Sequence, residues 1–261
     1  MAQTPLPGSM EFTRVPKNNP PTLGIGGNNL SMTQSDFGGM NNVKKFAMFI
    51  EYSRTQYGIH DPFIIIGTAS GLRPDYALAF EINPSDHMAM TIFQGASGQI
   101  KAGAIESGST YRNQNAHKVL FCIDVDEPID SNRLRITVDG VNIIPAGWKK
   151  WPQKGVALHI PDAPVWIGGY GIPGNRDGSG PDNTFFAGWM KNVMIFRGGC
   201  PAWSDIIDQY GNVRNAASIL SLPNLVSFLP GNQSPLEDDL KLTPNWKNQA
   251  FGTPTGVTQV P

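Results

Sequence analysis

Short runs of alternating apolar residues, each closed by glycine, proline, asparagine or aspartate, recur along most of this chain. Phe46, Met48 and Ile50 alternate with their neighbours, and so do Val193 and Ile195. A period of two places such residues on one face of a strand. The pattern predicts strands at Phe46–Tyr52, Phe63–Thr68, Tyr76–Ile82, Ala89–Gln94, Ile100–Ile105, Val119–Val125, Leu134–Val138, Val156–Ile160, Val165–Gly168, Gly188–Arg197 and Leu225–Leu229. Met10–Val15 and Leu30–Met32 are two further short candidates. One helix is predicted, Ala202–Tyr210, where Trp203, Ile206, Ile207 and Tyr210 share a face and Gly211 supplies the stop. Asn215–Leu220 reads as a second short turn of helix, and no internal repeat or heptad is visible.

Composition agrees with an all-β chain. Of 261 residues, 29 are glycine and 22 proline, and only 16% are charged, which suits many strands joined by tight turns. The net charge of -1 gives no footprint for nucleic acid, and Lys44-Lys45 and Lys149-Lys150 read as solvated edge residues. No apolar run approaches the ~20 residues of a membrane span, so no membrane partner is expected. MAQTPLPGSMEF lacks the basic start and apolar stretch of a signal peptide, which leads to the expectation of synthesis and folding in a cytoplasm. Cys122 lies in an apolar strand and Cys200 after Gly198-Gly199. Both are expected as free thiols, with a disulfide possible only if the two sulfurs meet.

Proline, glycine and asparagine concentrate at both ends, so residues 1–41 and 233–261 are expected as extended arms around a sandwich at 42–232. Ends of this composition are mobile unless tied down. Either neighbouring chains hold them, which is the leading expectation, or they wrap back on their own sandwich.

The stretch from Val119 to Arg197 carries a recognisable order of markers. His117-Lys118-Val119 leads a strand that runs to Asp124. Asn132-Arg133-Leu134 leads into Ile136–Gly140. Ile167-Gly168-Gly169 follows, and then Phe186–Phe196 as F-x-G-x-M-x-x-V-x-I-F. With Phe46–Tyr52 before and the 202–210 helix after, this order resembles the laminin-G-like branch of the concanavalin A-like jelly rolls. The usual tryptophan before His117 is absent, and a threonine stands where tyrosine is usual. The resemblance implies two antiparallel sheets with one short helix. The S-N-R-hydrophobic-x-hydrophobic-x-V-D-G wording further resembles bacteriophage head and tail proteins. The residues themselves have structural readings. Asp139-Gly140 suits a type I′ hairpin turn, and Gly168, Gly169 and Gly188 suit turns, bulges or close crossings.

Several groups are candidates for chemistry. Asp124, Asp126, Glu127 and Asp130 sit where jelly-roll glycosidases carry carboxylates, but Pro128 breaks the alternation that would put acids on one face. They read as a solvated turn, as do Glu237-Asp238-Asp239. In Gly174–Asp182, Asp177 and Asp182 with Ser179 offer oxygen ligands for calcium, without the ligand order of a dedicated calcium loop. His60, His87, His117 and His159 lack metal-ligand spacing. Gly24–Asn29 lacks the lysine of a phosphate loop and reads as a turn. Trp148, Trp151 and Tyr170 are candidates for stacking on a sugar, the two tryptophans lying in a polar loop, and core or interface packing is the competing reading for them. The expectation drawn from all this is a non-enzymatic structural protein of a virion, in capsid decoration, fibre or tail, whose partners are other virion proteins and copies of itself. The alternative is a carbohydrate-binding module for a cell-surface glycan, which on a virion would be a host glycan.

Overall fold

The computed structural model describes residues 5–15, 26–55, 61–67, 77–93, 101–111, 115–147, 149–160, 164–169, 186–242, 246–251 and 257–261. The strands are β1 (Ser9–Phe12), β2 (Arg14–Val15), β3 (Gly26–Thr33), β4 (Met40–Val43), β5 (Lys45–Arg54), β6 (Asp61–Gly67), β7 (Ala77–Ile82), β8 (His87–Phe93) and β9 (Lys101–Thr110). They continue as β10 (His117–Asp124), β11 (Leu134–Val138), β12 (Val141–Asn142), β13 (Leu158–Ile160), β14 (Pro164–Ile167), β15 (Gly188–Arg197), β16 (Leu225–Leu229), β17 (Lys247–Phe251) and β18 (Thr258–Val260). The first sheet runs β12-β11-β10-β5-β15-β1-β18, with β16 also on β15. The second runs β17-β3-β14-β6-β7-β8-β9, with β2 on β3, and β4 pairs with β13. This is the expected all-β, concanavalin A-like jelly-roll sandwich of two antiparallel sheets.

Period-two alternation builds the core. Phe46, Met48, Ile50 and Tyr52 of β5 point between the sheets, as do Val193 and Ile195 of β15. Phe80 of the second sheet stacks on Phe121 of the first with centroids 4.7 Å apart and rings 11° from parallel. Burying a side chain of this size contributes roughly 1.5–3 kcal/mol. The opposite face of β5 and β15 is apolar too. Ala47, Phe49, Met194 and Phe196 form a satellite core with Ile206 and Ile219, so a small cap covers the first sheet.

That cap corrects the helix expectation. Only α1 (Trp203–Ile206) is helical, and Ile207 is already extended at φ -107° and ψ 133°. The Asp208 carboxylate accepts from the N–H groups of Tyr210 and Asn212, both at 2.9 Å. This local turn replaces the next helical hydrogen bonds. Ile207 then bridges Val213, and Tyr210 is exposed. The second turn forms as α2 (Ala216–Leu220), with the Asn215 side chain capping Ser218 N–H at 3.0 Å.

The described parts of both flanks pair with their own chain. β1 lies between β15 and β18, with Met10 opposite both Met190 and Gln259. β3 is an interior strand between β14 and β17. Met10, Phe12, Leu30 and Met32 are buried, so even these Pro/Gly-rich segments carry a core face. A bulge makes room for β1. Asn192 adopts φ +53°, and the β15–β5 register shifts between Lys191 and Met194. Beyond the bulge the same edge of β15 pairs with β16.

Two glycines of the marker sequence are required by geometry. A Cβ on Gly188, at φ +147°, would lie 2.0 Å from Ser53 O, and one on Gly168, at φ +75°, would lie 2.1 Å from the Phe12 ring. The first is the expected close crossing of backbones. The second admits an aromatic ring from β1. Asp139 and Gly140 at φ +50° and +85° form the expected hairpin turn between β11 and β12.

Candidate functional site

Polar residues concentrate where β5 ends and β6, β10 and β15 begin. The chain leaves β5 at Arg54, a guanidinium with no exposed surface. It donates through NH2 to Asp61 at the start of β6, and through NH1 to Asp86 in the β7–β8 turn at 3.0 Å. NH1 also reaches the Tyr111 carbonyl at 3.5 Å. Tyr111 N–H in turn donates to Asp86 O at 2.7 Å. A buried charge needs such compensation, because desolvating it alone costs several kcal/mol. Arg54 therefore fastens the first sheet to the second at this end.

On this base sits an aromatic and acidic array. The rings of Tyr111 and His117 meet edge to face with centroids 5.6 Å apart, and His117 also lies 5.7 Å from Tyr52. His117 Nδ1 is 2.7 Å from Asp139 Oδ2, and Lys118 N–H donates to Asp139 Oδ1 at 2.9 Å. Partial burial pushes the Asp139 carboxyl up, but the hydrogen bonds from His117 and Lys118 outweigh it and hold it below the usual range. Asp139 is thus an exposed, ionised acceptor fixed beside a half-buried phenol ring. Beneath them the Tyr52 hydroxyl is buried and has no hydrogen-bond partner among the described residues. Burial pushes its phenol well above its ordinary value.

The acidic run after β10 is taken up by cations, as a structural turn rather than a carboxylate pair. Asp124 binds Lys45 at 2.8 Å, Asp126 binds Lys44 at 3.1 Å, and Asp130 binds Arg133 at 2.7 Å. Arg133 is itself buried and donates to the carbonyls of Glu127 and Pro152, both at 2.9 Å. The arginine of the S-N-R wording is therefore a clamp between two loops. A shallow cleft of about 270 Å³ opens beside Lys44, Lys45, Asp126 and Arg197.

The residues predicted from sequence fall differently. Trp151 is half-buried against the main core, and its loop runs along the outer edge of β9 through an Ala104–Lys150 bridge. Trp148, Tyr170, Asp177 and Asp182 lie outside the described residues. The flanks of the Tyr170–Asp182 segment reach the end built on Arg54, where Phe186 N–H donates to Gly168 O at 2.8 Å. Among the described residues no group of three metal-ligating side chains comes together. Glu237-Asp238-Asp239 is not simply a solvated turn. The Asp239 carboxylate accepts from Phe228, Lys241 and Leu242 N–H at 2.8–3.0 Å and from Trp246 Nε1 at 3.1 Å, which ties the C-terminal flank to β16. Sequence reasoning missed Arg54, Asp61, Asp86 and Tyr111. Their signal was weak, namely polar residues at the ends of strands that a meander returns to one end.

No protein-family model matches this sequence, and no curated protein matches it. Solved structures resemble it in outline. Ruminococcus gnavus IT-sialidase CBM40 bound to alpha2,3 sialyllactose shares 13% identity over 62% of this chain and 80% of its own, at a TM-score of 0.44. Mouse laminin alpha1 chain domains LG4-5 share 10% over 75% of this chain and 43% of theirs, at 0.47. A SAP-like pentraxin from Limulus polyphemus shares 10% over 74% of this chain and 78% of its own, at 0.44. Likenesses this distant concern the fold in outline and assign no ligand to this chain.

Proposed function

We propose that this chain is a non-enzymatic binding module for a glycan, and that Tyr111, His117 and Asp139 at the loop-bearing end form its contact surface. The observation that carries this reading is the array itself, an aromatic ring beside an ionised acceptor on a support fixed by buried Arg54. Sugars present apolar C–H faces and ring hydroxyls. A half-buried ring and a few fixed polar groups complement both. Glycoside hydrolysis needs two working carboxylates flanking one bond. At this end Asp61 and Asp86 are both engaged by Arg54. A glycan array probed with the wild-type chain tests the reading. Tyr111→Ala and Asp139→Asn should each weaken any binding at least tenfold while the fold is kept. Absence of binding to every glycan presented would end the proposal. Trp148, Trp151 and Tyr170 are the competing candidates from sequence, and Trp151→Ala tests the described one. Loss of binding in Trp151→Ala with Tyr111→Ala silent would move the site to the loop between β12 and β13.

A virion role, with other virion proteins and copies of this chain as partners, is a second reading. Exposed Val141 on the edge strand β12 and exposed Ile144 just after it favour self-association. Light scattering that shows a monomer at high concentration would remove that support.

A further inference from the structure

The chain has two cysteines, and the fold brings them together. Cys122 lies on β10 with its side chain in the satellite core beneath the cap, and Cys200 packs against the same cluster from the segment after β15. Cys200 Sγ is 3.2 Å from the carbonyl of Ile123, the residue after Cys122. It is 3.9 Å from the carbonyl of Phe46, which faces Ile123 across the β5–β10 ladder. Both side chains therefore lie in or against one apolar cluster beside the β5–β10 ladder. They come from segments far apart in sequence, so only folding creates the pair.

We propose that Cys122 and Cys200 form a modification site at which a hydroperoxide converts the two thiols into an intramolecular disulfide that pins the segment entering the cap to β10. Cys200 reacts first because it is half-buried whereas Cys122 is buried. The neighbouring Cys122 thiol holds the Cys200 thiol below its ordinary range, and Cys200 together with burial pushes Cys122 up. The thiolate is the nucleophile in such chemistry. The Cys200 thiolate attacks one peroxide oxygen, the O–O bond breaks, and the departing alkoxide takes a proton to leave as the alcohol. Cys200 is then a sulfenic acid. The Cys122 sulfur attacks Cys200 Sγ, the S–O bond breaks, and the hydroxide leaves as water with the Cys122 proton. Two thiols and one hydroperoxide give one disulfide, one alcohol and one water. The sulfurs together lose two electrons and the peroxide gains them. The new bond closes a chain loop from β10 to beyond β15, which restricts the unfolded state.

The reduced full chain is treated with hydrogen peroxide and followed by intact mass, maleimide labelling after unfolding, and peptide mapping. The expected result is loss of two hydrogens, loss of both maleimide sites and a linked Cys122–Cys200 peptide. The urea midpoint should rise on oxidation and return on reduction by a dithiol. Cys122→Ala should leave Cys200 as a dimedone-reactive sulfenic acid, and Cys200→Ser should leave Cys122 unreacted. The wild-type mass and map stand without either variant. Two thiols still labelled, disulfide-linked dimers, or overoxidised Cys200 beside a labelled Cys122 would each overturn the proposal.

Discussion

Replacing Arg54 by methionine is the sharpest test of how the two sheets are held at the candidate site. Methionine keeps most of the hydrocarbon stem and removes the guanidinium, so packing changes little. Arg54 and Asp61 have no exposed side-chain surface, and Asp86 has 7%. The variant leaves both carboxylates buried without this cation. Breaking a buried pair in this way costs about 3–5 kcal/mol. At about 1.4 kcal/mol per factor of ten, that is two to four orders of magnitude in the folding equilibrium. Urea unfolding of wild type and variant, followed by tryptophan fluorescence, reads the difference as a shift in midpoint at constant slope. Adding Asp61→Asn to Arg54→Met should recover part of the loss, because it removes one of the stranded charges. A loss below about 1 kcal/mol, or a double variant no better than the single, would refute the claim that Arg54 compensates these acids.

Other substitutions examine separate parts of the structure. Gly188→Ala should cost at least about 2 kcal/mol in the same assay, since overpacking and backbone strain add and the new Cβ would sit 2.0 Å from Ser53 O. An unchanged midpoint would mean that β5 and β15 separate there freely. Tyr52→Phe removes a buried hydroxyl without a partner among the described residues, so stability should rise or change by less than about 1 kcal/mol. A larger loss would reveal a partner for that hydroxyl. Asp139 has a folded pKa below its unfolded value. Its contribution should therefore be complete above about pH 4 and fade as pH falls through the folded value. The pH dependence of the urea midpoint should differ between wild type and Asp139→Asn in that acidic window. A difference growing toward alkaline pH would contradict the sign.

The sequence by itself determined the fold class and most of the strands. Alternation at Phe46, Met48 and Ile50 marked β5 because a strand facing a core has a period of two whatever its neighbours are. Asp139-Gly140 and Gly188 were legible for the same kind of reason, since each answers a backbone demand local to a few residues. Only the tertiary structure decided the rest. Helix 202–210 was cut short by the Asp208 side chain and by an Ile207–Val213 bridge, a competition that apolar spacing does not register. The flanks read as arms because proline and glycine dominate them. Their fate depended on open edges at β14 and β15, which exist only once the sandwich has formed. The candidate site was the least legible part. Arg54, Asp61, Asp86, Tyr111, His117 and Asp139 come from different strands and turns, and each alone is a polar residue at a strand end. Topology returns those ends to one place, and burial there turns ordinary ion pairs and rings into a fixed surface.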